Sequence, residues 1–291
     1  MDRRTMLAGG LGLLAGGLSM GATEAAAKRP SGRGLFAPDN LMAWCIVPFD
    51  ARKRGPEERA AMLKDLGFRH FAYDWRDEHL PTLDREQDAL QARGVALDAF
   101  WFPAGLEPEK QPQIKTILDF LARRKVKTQL WLSMGLPDQG SQQERVDRTV
   151  TPVRWIADAA EKLGCTVALY NHGGWFGEPE NQVQILQAVD RKNVGIVYNF
   201  HHAHHRIDDW PTIFNLMKPH LLALNINGMR KEGPMILPVG AGDRELGMLR
   251  VVAASDYHGP IGILCHRDDI DAEVALRGNM AGLKELVEKL S

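Results

Sequence analysis

The sequence predicts a single-domain (β/α)8 TIM barrel preceded by an export signal. Eight short, β-prone apolar segments alternate with amphipathic helical ones. They fill about 250 residues, the usual size of one such barrel. No domain linker, fixed-period repeat or low-complexity stretch interrupts residues 39–291. The β-prone segments are Leu41–Asp50, Phe68–Arg76, Val95–Pro103, Lys127–Met134, Cys165–Gly174, Val194–His204, Leu221–Met229 and Ile261–His266.

Taken in order, residues 1–27 read as a targeting segment. Arg3 and Arg4 precede a glycine-rich apolar run from Leu7 to Ala22, and Ala25-Ala26-Ala27 offers a small-residue cleavage site. Paired arginines before weak hydrophobicity suggest the bacterial twin-arginine route to the periplasm or cell exterior, and no membrane span remains once the signal is removed. Lys28–Pro38, rich in Gly, Pro and basic residues, is expected to be a linker. The first helix opens at Pro56, carries Glu57 and Glu58 in its first turn and stops at Gly67, all recognised boundary signals. Ile114, Ile117, Leu118 and Leu121 form an i, i+3, i+4, i+7 stripe in the third helix. Val153, Ile156, Ala160 and Leu163 repeat it in the fourth, and Met280, Leu283, Val287 and Leu290 in the last. These stripes are core. Gly240-Ala241-Gly242-Asp243 resembles a helix N-cap with permissive glycines more than a phosphate cradle.

The bulk chemistry excludes some partners. Lys plus Arg number 36 against 37 acidic residues, a net charge of −1, so nucleic acid is not an expected ligand. Cys45, Cys165 and Cys265 lack metal spacing and read as small buried thiols. Cys45 and Cys265 fall on the first and last strands, which adjoin in a closed barrel, so their spacing permits a bridge. No Lys occupies the carboxyl half of a predicted strand, against a Schiff-base aldolase, and no GxSxG elbow occurs.

Chemistry in such barrels sits at the carboxyl ends of the strands, where polar residues face an open mouth. Asp74 and Trp75 close the second strand. The fifth finishes Tyr170-Asn171-His172-Gly173-Gly174-Trp175, and the sixth Tyr198-Asn199-Phe200-His201-His202-Ala203-His204-His205. The seventh carries Asn225 and Asn227, and His266 ends the eighth. Adjacent strands bring His172 beside the sixth-strand histidines. Period-two alternation turns half of that run outward, so His202 is favoured over His201, His204 and His205. Imidazoles here fit either ligation of Mn, Zn, Co or Ni or general acid–base work near neutral pH.

The strand end Leu169–Gly174, the segment from Val194-Gly195-Ile196 to His202, Pro238–Asp243 and Gly259-Pro260-Ile261-Gly262-Ile263 together resemble the xylose isomerase-like TIM barrels, over roughly residues 41–290. That resemblance implies a sugar isomerase or epimerase. It also implies a metal site that this chain departs from. The family's fifth-strand Glu falls at Tyr170, its sixth-strand Asp at Asn199, its seventh-strand His at Asn225 and its last Glu near Leu264. The following sixth-strand His is retained as His202. A cation held by neutral amides and a phenol loses its charge compensation.

The expectation is therefore an exported enzyme exchanging protons next to the carbonyl of an unphosphorylated sugar or sugar derivative. His172 and His202 are the expected acid–base pair, with Asp74 as an auxiliary group. Tyr170, Asn171, Trp175, Asn199, Asn225, Asn227, Trp101 and His266 are expected to bind the carbohydrate, with indoles, Trp75 included, stacking on its face. Either no cofactor or a weakly held divalent metal on His172 and His202, joined by His204 or Asn199, is expected. A lyase or hydrolase acting on oxidised glycosides and a non-catalytic sugar-binding barrel are the alternatives, and the sugar and the oligomeric state stay open.

Overall fold

The computed structural model describes residues 30–135 and 139–290; the expected export signal lies outside them. Eight parallel strands close in sequence order: β1 (Leu41–Trp44), β2 (His70–Asp74), β3 (Ala96–Ala104), β4 (Gln129–Met134), β5 (Thr166–Tyr170), β6 (Val194–Asn199), β7 (Leu221–Ile226) and β8 (Ile261–Leu264). Closure is made by β1 on β8, in register from Leu41↔Ile261 to Trp44↔Leu264. The intervening helices are α1 (Pro56–Asp65), α2 (Leu83–Ala92), α3 (Pro112–Arg124), α4 (Gln142–Lys162), α5 (Gly174–Gly177), α6 (Pro179–Val189), α7 (Trp210–Met217) and α8 (Glu245–Ala253), with α9 (Ala272–Glu288) following β8. No helix among the described residues is long and apolar enough to cross a membrane.

Two apolar clusters follow from strand alternation, since successive side chains point to opposite faces. Phe71, Tyr73, Phe100, Phe102, Leu130 and Leu132 face outward, against helix stripes such as Ile114, Ile117 and Leu121. Met42, Trp44, Ala72, Ala99, Trp131, Ala168, Tyr170, Val197, Ala223 and Leu264 fill the barrel interior. Small residues alternating with indoles fill the bore and floor the mouth with aromatic rings: Trp44–Trp131 centroids lie 4.9 Å apart, edge to face. Gly262 is required by packing, because a Cβ there would lie 1.9 Å from Asn225 Oδ1.

The β1–β8 seam is locked by charge. Arg54, with a side chain only 4% exposed, pairs with Asp50 at 2.9 Å and with Asp271, the N-cap of α9, at 2.7 Å. Asp50 also accepts from the backbone of Arg52, Arg54 and Ala272, and these bonds hold its carboxyl below the ordinary range despite the opposing effect of burial.

Four local expectations need correction. The stretch expected as a linker is, from Pro30 on, part of the packed body: Gly32–Phe36 and Pro38–Asn40 form 3-10 turns that bury Leu35 and Phe36. The sixth strand ends at Asn199, and Phe200–Asp209 continue as 3-10 turns. Asp243 does not cap α8, whose N-cap is Arg244; Gly240 and Gly242 serve close packing, against Gly282 and Met229. Cys45 and Cys265 are both free. They directly follow the adjacent strands β1 and β8 but lie on opposite faces, Cys45 in the inner cluster and Cys265 in the outer one.

Candidate active site

Asp74, the last residue of β2, stands at the mouth with 3% of its surface exposed. Cys45 follows the last residue of β1, and His266 lies just beyond β8. Both adopt the left-handed backbone region, with φ of 58° and 30°, which is uncommon outside glycine and concentrates at functional sites. These turns bring the Cys45 thiol 3.6 Å from Asp74 Oδ2, as donor, and 4.0 Å from His266 Nδ1. The other Asp74 oxygen accepts from Arg76. The Arg76 guanidinium also lies over Trp101, at 5.4 Å, and Phe49, at 5.9 Å, while His266 stacks on Phe49 with centroids 4.1 Å apart. Arg76 and Phe49 thus roof the carboxylate.

Burial sets the charge states. It lifts Asp74 to about 6, against the opposing pull of Arg76 and the Cys45 thiol. Burial, with Asp74 alongside, holds the Cys45 thiol well above its ordinary value. Burial and mutual repulsion push the imidazoles down, His201 to about 2, His202 to about 3 and His266 to about 4. His172, which reaches solvent at the mouth, is lowered as well. All four rings are neutral at physiological pH.

On the opposite wall a relay of hydrogen bonds fixes the rings. Asn199 Nδ2 donates to the Tyr170 hydroxyl at 2.6 Å. The Asn199 oxygen is then left to accept from His201 Nδ1 at 2.9 Å, which assigns the His201 hydrogen to Nδ1. His202 packs against His172 and His201, at 4.5 and 3.8 Å between centroids, and His201 against His266 at 5.0 Å. A pocket of about 30 Å³ remains between Asp74, Cys45, Arg76, Trp101, Tyr170, His172, His202 and His266; Asp74 is its one carboxylate among the described residues.

The other expected binding residues divide. Trp101 borders the mouth and donates its indole N–H to Ser133. Trp175 stands further out, donating to Gln142. Asn171 is spent on structure, clasping the Asn199 backbone through both its amide atoms. Asn227 donates to the carbonyls of Gly228 and Met235, bracing the loop after β7. Asn225 is fully buried with neither amide atom partnered by protein. His204 and His205 turn away, to the Arg230 carbonyl and to Glu178.

The residues do not fit the divalent cation of the kind the resemblance implies. The Asn199 amide is committed to Tyr170 and His201, Leu264 offers no donor atom, and Tyr170 is a phenol that burial holds protonated. Among the described residues no three His, Cys, Asp or Glu side chains converge on a cation position.

Sequence reasoning missed Cys45, Arg76, Phe49 and His201. The expected first strand ran on to Asp50, which made Cys45 a mid-strand core thiol instead of the first residue of the loop. Strand alternation likewise turned His201 outward, whereas the 3-10 turns beginning at Phe200 bring His201 and His202 both into the cluster.

The fold recurs widely. Similar solved structures include a probable 3-DHS dehydratase, AsbF, of Bacillus anthracis, 17% identical, covering 84% of this chain and 98% of its own, with a TM-score of 0.64. The 3-keto-D-glucoside 4-epimerase YcjR of E. coli is 16% identical over 85% of this chain and 98% of its own, TM-score 0.65. The D-psicose 3-epimerase of Clostridium cellulolyticum H10 is 15% identical over 87% and 99%, TM-score 0.62. At these identities the likeness is one of fold. No curated protein matches the sequence. The xylose isomerase-like TIM barrel family matches residues 60–286, most of the barrel, and the chain belongs to that family.

Proposed function

We propose that this protein is an exported enzyme that moves a proton next to the carbonyl of an unphosphorylated sugar derivative, as an isomerase or epimerase. The observation that carries the reading is Asp74: one buried carboxylate, held near about 6, facing neutral imidazoles at the carboxyl end of a barrel. A base of that strength is half-ionised close to neutral pH and suits proton transfer. Of the two histidines expected to exchange the proton themselves, His202 is pushed down to about 3, a weak base, and burial lowers His172 as well; as neutral rings they serve as hydrogen-bonding groups for hydroxyls and for an enolate oxygen. In the proposed step Asp74 takes the hydrogen α to the carbonyl. The C–H electrons form the enediolate and Asp74 becomes the carboxylic acid, whose proton exchanges with water; Asp74 then delivers a proton to the adjacent carbon while the hydroxyl proton passes to the former carbonyl oxygen, giving the isomer, or hands its proton to water while water protonates the opposite face, giving the epimer. Arg76 lies close enough to steady the developing negative charge. No step passes through a metal.

Sugar epimerases among the structural neighbours support the substrate class by analogy. Export rests on Arg3, Arg4 and the alanines at 25–27; a double Arg→Lys change of that pair is expected to retain the protein in the cytoplasm. The test of the chemistry is solvent exchange. Aldoses, ketoses and 3-keto-glycosides are incubated with the protein in D2O and followed by proton NMR. Deuterium should enter at a carbon α to the carbonyl with the wild type and not with Asp74→Asn. Exchange surviving in that variant removes Asp74 from the reaction. Binding without exchange identifies a sugar-binding barrel, a reading favoured by the ion pair that already occupies one Asp74 oxygen.

A further inference from the structure

Two cavities meet at the mouth, and their sizes divide a ligand between them. The inner one, about 30 Å³, has room for about two water-sized groups and not for a ring. The outer one, about 350 Å³, takes a ring. Trp101 and His172 line both, so the two are continuous. Ser133, His172 and the backbone at Gly173 and Gly174 put hydrogen-bonding groups beside the indoles of Trp101 and Trp175, a mixture suited to a sugar ring. What enters the inner cavity is one small substituent of that ring.

Arg76 decides which substituent. It is the one Lys or Arg lining the inner cavity among the described residues, and its side chain is 31% exposed. Its Nη1 donates to Asp74 and to the Trp75 carbonyl, while Nε and Nη2 make no hydrogen bond to any described residue. Asp74 fixes one edge of the guanidinium, and the rings of Trp101 and Phe49 steady it at 5.4 and 5.9 Å. A planar fork of donors held in this way matches the two oxygens of a carboxylate, which fill both positions at once. A hydroxyl fills only one. Asp74, the cavity's one carboxylate among the described residues, is already bound to Nη1, so the guanidinium's charge lies between it and a second anion. His172 and His202 are neutral rings and do not compete with Arg76 for that anion.

We propose that the ligand is a sugar acid, its ring in the outer cavity and its carboxylate on the Nε–Nη2 edge of Arg76. The inference rests on the sugar reading above and names the class of sugar. The ring carbon that bears the carboxylate then sits at the junction of the two cavities, across the guanidinium from Asp74.

Calorimetric titration with matched pairs, D-glucuronate against D-glucose and D-galacturonate against D-galactose, with acetate as the bare carboxylate, tests it. In at least one pair the acid should bind about tenfold or more tightly than the neutral sugar, the size of a charge-assisted contact. Arg76→Gln should bring that ratio close to one, and Arg76→Lys, which keeps the charge without the fork, should retain only part of it. The same loss when Arg76→Gln is added to Asp74→Asn shows that the effect belongs to Arg76 and not to an unneutralised Asp74. Circular dichroism and thermal melting check that the variants fold. A ratio near one for both pairs in the wild type, or a ratio unchanged by Arg76→Gln in either background, overturns the sugar acid and leaves the sugar reading standing wherever a neutral sugar binds. Acetate binding as tightly as the acids, with Arg76→Gln abolishing both, keeps the carboxylate site and overturns the sugar reading. If nothing binds, both are overturned.

Discussion

The Cys45 thiol donates to Asp74 Oδ2 at 3.6 Å from a left-handed backbone position, linking the loop after β1 to the carboxylate that ends β2. A thiol donor favours the ionised carboxylate, as Arg76 does on the other oxygen, and both oppose the lift from burial. Removing it in Cys45→Ala should therefore raise the Asp74 titration further above about 6, whereas Cys45→Ser should hold it in place. Carbon-13 NMR of the aspartate carboxyls reads this directly. An Asp74 midpoint unmoved in Cys45→Ala would show that the thiol has no hold on it. The same burial makes Cys45 a poor nucleophile, so iodoacetamide at pH 8 should label it far more slowly than free cysteine.

Asp74 also writes a pH signature into stability. Its folded value of about 6 exceeds the ordinary 3.8, so the folded state binds the proton more tightly. The stability linked to that proton is present at acid pH and lost as pH rises through 3.8 to about 6. Asp74→Asn lacks this loss. Relative to the wild type, the variant should gain on the order of 3 kcal/mol between pH 3.5 and 8, the linkage value of a shift of about two units. Paired denaturant titrations at the two pH values measure it. The unpaired Arg76 left by the substitution offsets the gain by an amount that changes little with pH, so the pH-dependent difference is the diagnostic. A constant gap between the two proteins would mean that Asp74 is not lifted. Where Asp74 acts as base, exchange rates should rise with pH along a limb centred near about 6.

Much of the fold was legible because each interior face of a strand must be apolar or small, and the helices must cover the other. Eight alternations, the stripe of Ile114, Ile117 and Leu121, and the boundary signals at Pro56 and Gly67 follow from that requirement. His172 and His202 were legible for the same reason, being polar side chains placed where strands open. Strand length was not legible, because apolar residues such as Ile46 and Val47 continue past Trp44 into a buried loop that looks like more strand. That one ambiguity hid Cys45. The asparagines were misread differently: an amide at a strand end fits a ligand and a neighbouring backbone equally well, and the backbone took Asn171 and Asn227.

The crowded imidazoles predict the opposite pH response from Asp74. His201 falls from an ordinary 6.5 to about 2 on folding, so the unfolded chain binds its proton first. Stability carried by the neutral ring is complete above 6.5 and is lost as pH falls below it. The loss is roughly 1.4 kcal/mol per pH unit for His201. His202 and His266 act in the same direction. Thermal melting should therefore weaken steeply between pH 6.5 and 4.5, more so in the wild type than in His201→Gln, whose amide can still donate to Asn199. Equal slopes for the two proteins would show that His201 is protonated in the native state.

Metal binding is the last expectation to follow from these side chains. His172 and His202 lie close enough to share a cation, their rings 4.5 Å apart, but the neighbouring strand ends offer a committed amide, a protonated phenol and Leu264 in place of further ligands. Two imidazoles with water completing the shell make a weaker site than three histidines or histidines with a carboxylate. Zn, Ni, Co or Mn added to the protein should therefore bind weakly and leave on treatment with a chelator. Only neutral imidazole is a ligand, and an ordinary histidine would release metal as pH falls through about 6.5. Burial lowers both rings, His202 to about 3, so whatever occupancy exists should persist below pH 6.5. Calorimetric titration of zinc at pH 7.5 and 5.5, with His202→Ala as control, makes the comparison. One stoichiometric equivalent that survives chelation, or binding that collapses near pH 6.5, would show that these imidazoles are arranged and hydrated differently from the cluster described above.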